Sequence, residues 1–208
     1  MTIDLSQKGS LKRFYIPGVV YFVTAVTKNR VPYFQEKILR NVFLAELNLC
    51  SKLKEFELYG YTVQKDHVHL LIKVGEKYNI SQIMHFLKRN LSRNINRIMD
   101  SKMSEVPAFN VAKDDHPWLQ DGAAGNRRDT KNKNDHPPLR EEIADIEEKI
   151  KNLQKQFHQK YPQNPFSKFF WQPSFYDHGI RNEKDFLKHW EYIQYNCLKH
   201  KSHVQKII

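Results

Sequence analysis

No stretch of the 208-residue sequence reaches about 18 consecutive apolar residues, so a membrane-spanning helix is not expected. The first residues, MTIDLSQKGSLKRF, lack an apolar block, which argues against a secretory signal. Cysteine is scarce. Cys50 and Cys197 make neither a disulfide framework nor a zinc motif, and a reducing cytoplasm is the expected setting. No internal repeat is visible. A pair of separated His-x-Ser/Thr motifs, which a two-histidine phosphodiesterase requires, is also missing.

The formal net charge is +11, and its placement carries more information than its size. Between residues 101 and 165, basic and acidic residues balance at 11 each. Residues 1–100 carry 16 basic against 8 acidic, and 166–208 carry 7 against 4, so the two flanks supply the whole excess. Such an excess suits a polyanionic partner, most often nucleic acid, and equally suits a merely soluble basic protein.

Apolar periodicity divides the chain into elements. VVYFVTAVTK, 19–28, is apolar on both faces, as an inner strand is. A helix over roughly 34–54 places Ile38, Val42, Ala45, Leu49 and Leu53 on one side. Strands at 58–64 and 66–74 meet near Lys65-Asp66 as an antiparallel hairpin. A helix over 80–99, capped by Asn79 or Ser81, has the stripe Ile83, Met84, Leu87, Leu91, Ile95 and Ile98. Its Arg89, Arg93 and Arg97 recur four apart, as a solvated face or a face that tracks phosphates. Residues 111–138, rich in Asn, Asp, Gly, Pro and Lys, read as a flexible loop. A helix over 139–161 carries a stripe from Leu139 to Phe157, which must cover either the main domain or a second chain. The aromatic segment 168–180 is strand-like, and a last helix spans 182–200 behind an Asn182 cap. The order β-α-β-β-α-(insertion)-β-α is that of an α+β fold on an antiparallel sheet. One domain over 1–208 is expected, with a core at 12–100 and 166–208 and a mostly polar insertion at about 101–165 carrying one long helix.

Within KDHVHLLIKV, Val68, Leu70, Ile72 and Val74 alternate toward a buried face, and His67 and His69 share the other. Histidines two apart on a strand stand roughly 7 Å apart at the backbone and can converge on one ion. Two partly exposed histidines without a ligand fit the same pattern. A metal site needs a third donor, and a reaction needs a nucleophile. The last helix offers Tyr192 and Asn196, one turn apart on one face. An Asn amide oxygen can ligate a metal. A phenol, with a pKa near 10, attacks only where its anion is favoured. Spacing does not separate Tyr192 from Tyr195.

Four stretches in order, YFVTAVTKNR, KDHVHLL, FFWQPSFYDHGIRNEKDF and YIQYN, resemble the REP-associated tyrosine transposases of the single-tyrosine HUH transposase superfamily. The resemblance covers about 1–100 and 166–208. It implies the HUH transposase fold, a ferredoxin-like antiparallel sheet with helices on one face. It selects Tyr192 as catalytic residue, because Tyr192-Ile193-Gln194-Tyr195-Asn196 matches the family's Tyr-Ile-x-x-Asn context. It makes His67, His69 and Asn196 the ligands of a divalent ion, Mg²⁺ or Mn²⁺. The family's Asn-Pro is Asn196-Cys197 here. The implied activity is metal-dependent cleavage and rejoining of single-stranded DNA at hairpin-flanked, REP-like sites in DNA transposition, through a 5′-phosphotyrosine. A non-catalytic DNA- or RNA-binding module is the alternative. Lys88, Arg89, Arg93, Arg97 and Arg181 are the expected backbone contacts. Trp171 or Tyr176 is a candidate for stacking a base, though both also read as core aromatics. Cytoplasmic, nucleoid-associated work is implied, with monomer and homodimer both open.

Overall fold

The computed structural model describes residues 16–100 and 137–200. Strands β1 (Val20–Val26), β2 (Glu57–Val63), β3 (His67–Lys73) and β4 (Tyr176–Gly179) alternate with helices α1 (Lys37–Leu53), α2 (Ile80–Met99), α3 (Pro137–Lys160) and α4 (Glu183–His200). The four strands form one sheet in the order β2-β3-β1-β4, with every neighbouring pair antiparallel. With the helices this is an α+β fold of ferredoxin-like strand order.

Strand β1 is central because both of its faces are apolar. Tyr21, Val23 and Ala25 enter the main core on one side, and Phe22 joins a smaller cluster on the other. Val68, Leu70, Ile72 and Val74 do the same for β3, toward the main core. The hairpin between β2 and β3 closes over Lys65-Asp66, with the Gln64 N–H donating to the His67 carbonyl at 2.8 Å.

The stripe expected of α2 is buried throughout, and Asn79 caps the helix in a full capping box with Gln82. Helix α3 begins at Pro137, two residues early. Proline is tolerated in a first turn, where its missing N–H has no intrahelical partner. Ile146, Ile150 and Phe157 bury into the same core as α1 and α2, so the stripe covers the main body of this chain. The expected loop at 111–136 lies outside the described residues.

Packing of helices on one face holds for α1, α2 and α3. Helix α4 lies on the opposite face, over Phe22 and Leu71. Its stripe could not reveal this, since an apolar stripe says that a face is covered and not which side of a sheet covers it.

One carboxylate sits inside the helical layer. Glu46 of α1 is 1% exposed and accepts a hydrogen bond from the Asn94 side chain of α2. Burial pushes its carboxyl up to about 7, outweighing the Asn94 bond and the nearby Arg93 charge. A raised folded pKa means that the protonated form supports the fold. That support is full below about 4.5 and is lost as pH rises through about 7. Glu46→Gln keeps the shape without the charge. Unfolding free energies from denaturant titration should fall for the wild type across this window, by up to about 3 kcal/mol, and stay nearly level for the variant.

Candidate functional site

Helix α4 is held to the sheet by a small apolar cluster. Phe22, Leu71 and Ile193 form its buried centre, with Val20, Tyr59, Ile180, Phe186 and Trp190 around them. The pairing of β2 with β3 shifts between Leu58 and Gly60, which leaves Tyr59 as the extra residue of a bulge. Tyr59 meets Phe186 edge-on at 5.5 Å between ring centroids. The Trp190 ring lies over Gly60, where a Cβ would come within 2.6 Å of it. The bulge and its glycine therefore set how closely α4 approaches.

His67 and His69 face this helix from β3, their ring centroids 4.9 Å apart and nearly perpendicular. Each has its Nδ1 engaged by a neighbour. His67 Nδ1 lies 2.7 Å from Asp66 Oδ1, and His69 Nδ1 lies 2.8 Å from Thr24 Oγ1. A carboxylate only accepts, so the His67 Nδ1 carries a proton, and Nε2 is the nitrogen that holds the lone pair in the neutral ring. Burial opposes the charge of Asp66, but hydrogen bonds from His67 and Arg30 outweigh it and hold the carboxyl below its usual range. Arg30 reaches its other oxygen at 3.2 Å. His69 is 5% exposed, and burial, helped by His67, pushes its imidazole down to about 3. It is neutral at any ordinary pH. Its Nε2 is buried with no hydrogen-bond partner. A neutral imidazole with Nδ1 anchored and Nε2 unsatisfied is the form in which histidine ligates a metal.

Tyr192 of α4 meets His69 edge-on at 5.2 Å and Phe22 at 5.7 Å, and is 46% exposed. Asn196, one turn on, donates its side-chain N–H to the Tyr192 carbonyl at 2.9 Å. That bond uses the amide nitrogen and leaves Oδ1 as the donor atom for a ligand. The Asn196 backbone carbonyl accepts from Gln64 Nε2 at 3.3 Å, and the Gln64 backbone is bonded to His67. Tyr192 and both histidines thus meet on one face of the sheet, and Asn196 is tied to their hairpin through its backbone carbonyl.

Residues 16–109, which include β1 to α2 and the histidine pair, match the model of a family described as "Transposase IS200 like". The match covers 94 of the 208 residues, and over that segment the chain is similar to this family. Helix α4, with Tyr192 and Asn196, lies beyond the matched residues. Among solved structures, a REP-associated tyrosine transposase bound to a REP hairpin is similar at 20% identity. That likeness covers 91% of this chain and 72% of the other, with a TM-score of 0.40. A crystal structure of a protein assigned as a transposase from Deinococcus radiodurans R1 is similar at 13% identity, covering 88% and 95%, with a TM-score of 0.41. No curated protein sequence matches the chain.

The residues expected to contact DNA scatter around this core. Arg89, Arg93 and Arg97 belong to α2, on the side of the sheet away from the histidines. Arg93 and Arg97 are half-buried, each with one guanidinium nitrogen shielded from water. Lys88 donates to the carbonyls of Gln172 and Ser174 at 2.7 and 3.0 Å, and so braces the segment before β4. Arg181 is exposed at the start of α4. Trp171 is 9% exposed and packs against Phe34 and Phe169, with no face left for a base. Tyr176 is 60% exposed, and it pairs with Thr24 on the site side of β1.

Sequence reasoning passed over several residues that shape this site. Asp66 adjoins the histidine pair, and Thr24 is a polar residue in an apolar strand; both are visible as such in hindsight. A further cluster, His178, Asp185 and His189, has its potential ligand atoms within 4.8 Å of one another. His178 Nε2 lies 2.9 Å from Asp185 Oδ2, and His189 Nδ1 lies 2.8 Å from the Asp185 backbone carbonyl. A carbonyl only accepts, so that Nδ1 carries a proton and is not a ligand atom. The cluster acts as a polar bracket between β4 and α4, with both imidazoles stacked at 4.8 Å.

Gly60→Ala should lift α4 by forcing Trp190 outward. Overpacking of this kind costs about 1–3 kcal/mol, and chemical denaturation of the variant should show a loss in that range. Asp66→Asn removes the charge behind His67. Calorimetric titration with Mn²⁺ should show affinity about 10–100-fold weaker than wild type, the usual effect of removing a partner behind a ligand.

Proposed function

We propose that this protein cleaves and rejoins single-stranded DNA through Tyr192, in DNA transposition. The observation that carries the reading is the buried, unpartnered Nε2 of His69 with Tyr192 edge-on beside it. A buried polar atom without a partner costs about 1–3 kcal/mol, and a bound ligand offsets that cost. His67 and His69 through Nε2, and Asn196 through Oδ1, are the groups that would hold a divalent ion. Such an ion, when bound, supplies positive charge against the oxygens of a phosphate. Two imidazoles suit Mn²⁺ better than Mg²⁺, though Mg²⁺ is the harder, oxygen-seeking alternative.

The chain's own contribution is placement and proton control. Asp66 keeps the His67 proton on Nδ1, and Thr24, by accepting from the His69 Nδ1, would leave the His69 Nε2 free for an ion. Phe22 backs both His69 and Tyr192, fixing the ring that must attack. The phenol oxygen of Tyr192 bonds to phosphorus and its proton passes to solvent. The bond from phosphorus to the 3′ oxygen breaks, and that oxygen leaves as a 3′-hydroxyl with a proton. The 5′ side remains on the enzyme as a phosphotyrosine. Attack by a 3′-hydroxyl of another strand reverses these steps, restores the phenol and joins the strands without ATP. The substrate class is single-stranded DNA beside a hairpin of REP-like type, handled in the cytoplasm at the nucleoid.

Incubation with an end-labelled, hairpin-flanked single strand and Mn²⁺ or Mg²⁺ should give a covalent protein–DNA adduct on a denaturing gel. Tyr192→Phe should abolish it, and His67→Ala should reduce it at least about 100-fold, within the range of a lost catalytic group. An adduct that persists in Tyr192→Phe would move the nucleophile elsewhere, with Tyr195 next in line. Salt-sensitive binding with no adduct in any metal would mark a non-catalytic DNA- or RNA-binding module.

A further inference from the structure

The segment before β4 is fixed more firmly than its short strand suggests. Trp171 bridges Thr27, the Lys28 N–H donates to the Phe170 carbonyl at 2.8 Å, and the Gln172 N–H donates to the Val26 carbonyl at 2.9 Å. Phe169 and Trp171 point into the main core. Alternation therefore turns Phe170, between them, to the other side, the side of His67 and His69. Phe170 is 47% exposed. The ammonium groups of Lys28 and Lys168 stand 5.5 and 5.6 Å from its ring centroid. Arg30 is exposed nearby, and Asn29 and Arg30 both take left-handed backbone conformations (φ 57° and 52°) that L-residues disfavour. An exposed ring with two ammonium groups over it, which a base would displace toward its phosphates, next to a strained turn, is an expensive arrangement for a plain surface.

Register places this feature relative to the histidines. Val26 lies between His67 on β3 and Gln172 on the β4 side, so the segment runs about 10 Å from the histidine pair across the sheet. Tyr176, the other exposed aromatic on this side, pairs with Thr24, four residues of β1 from the level of Phe170, or about 13 Å. Lys88 braces the backbone between the two rings from behind.

We propose that Phe170, flanked by Lys28 and Lys168, is a stacking platform for an unpaired base of the DNA strand, with its phosphates on the two lysines. Tyr176 takes a second base further along the same edge. The ring supplies a face that any base can cover, and the cations hold the backbone on either side of it. The proposal takes its ligand from the strand-cleavage reading, but it concerns binding and can stand or fall separately.

The test is fluorescence anisotropy in the Tyr192→Phe background, where no adduct should form. The probes are a fluorescein-labelled hairpin with a single-stranded flank, and a series in which one abasic position steps along that flank. Phe170→Ala should weaken binding to the intact probe about tenfold, and Phe170→Trp should restore it. At one abasic position, Phe170→Ala and its parent should bind equally. Lys28→Gln and Lys168→Gln should each lower the salt dependence of binding by about one phosphate contact. The proposal is overturned if Phe170→Ala binds like its parent. It is also overturned if the loss is the same at every abasic position or on blunt duplex DNA, since the ring would then act without a base. Phe170-dependent binding without any wild-type adduct would keep the platform and sink the nuclease reading. A wild-type adduct with Phe170→Ala silent would do the reverse.

Discussion

The phenyl ring of Phe22 is the surface on which the candidate site rests. It stacks on His69 at 5.3 Å, meets His189 at 4.8 Å and touches the edge of Tyr192 at 5.7 Å. It stands on the central strand and is 6% exposed, so it can shift only if the sheet does. The His69 imidazole on β3, the bracket from β4 and the tyrosine on α4 share this one wall. Their mutual placement rests on this packing, with the Thr24–His69 and Gln64–Asn196 hydrogen bonds beside it.

The sheet divides the labour of the molecule. On one face, α1, α2 and α3 bury a large apolar core that includes the even-numbered half of β3 from Val68 to Val74. On the other, a much smaller cluster holds one helix and leaves the rows around Thr24 and His69 to polar groups. A strand presents its two faces independently, so the core can be filled without compromise while the opposite row carries groups that no core would accept. The His69 Nε2 on that row is left without a partner, while the groups around it are answered. Asp66 takes both His67 and Arg30, Asp185 takes His178 and the Arg181 N–H, and Gln64 ties the hairpin to α4.

Much of the fold was legible because periodicity is local. Helix α2 runs over 80–99 as its stripe indicates, and the His-Val-His strand keeps its valine inside and its histidines on the other side. What could not be read was on which side things lie. The stripe of α3 did not say that its cover is this chain's own α1 and α2, nor did that of α4 say that it crosses to the opposite face. The arginine row of α2 shows the same limit. Spacing of four puts Arg89, Arg93 and Arg97 on one ridge, but neighbouring helices decide whether a ridge meets solvent, and here two of the three are half-buried. The run Phe169-Phe170-Trp171 read as aromatic and strand-like. Its parity, which buries the outer two and exposes the middle one, is set by the bridge to Thr27, 144 residues earlier in the chain. Lys88 carries no local sign that it braces a loop more than 80 residues away.

The modest cluster beneath α4 has a bearing on how strands could be exchanged. Elements that bury few apolar groups open at lower free energy than the body they lie on. With Phe22 and Leu71 the deeply buried residues under its Ile193, α4 is suited to detach locally while the sheet stays intact. On the proposed reading, a side chain carried by such a helix would swing away from one strand end and return to another while the sheet stays folded. The reach of the tyrosine is then set by the fraying of a single helix, and its homing position by the ring of Phe22.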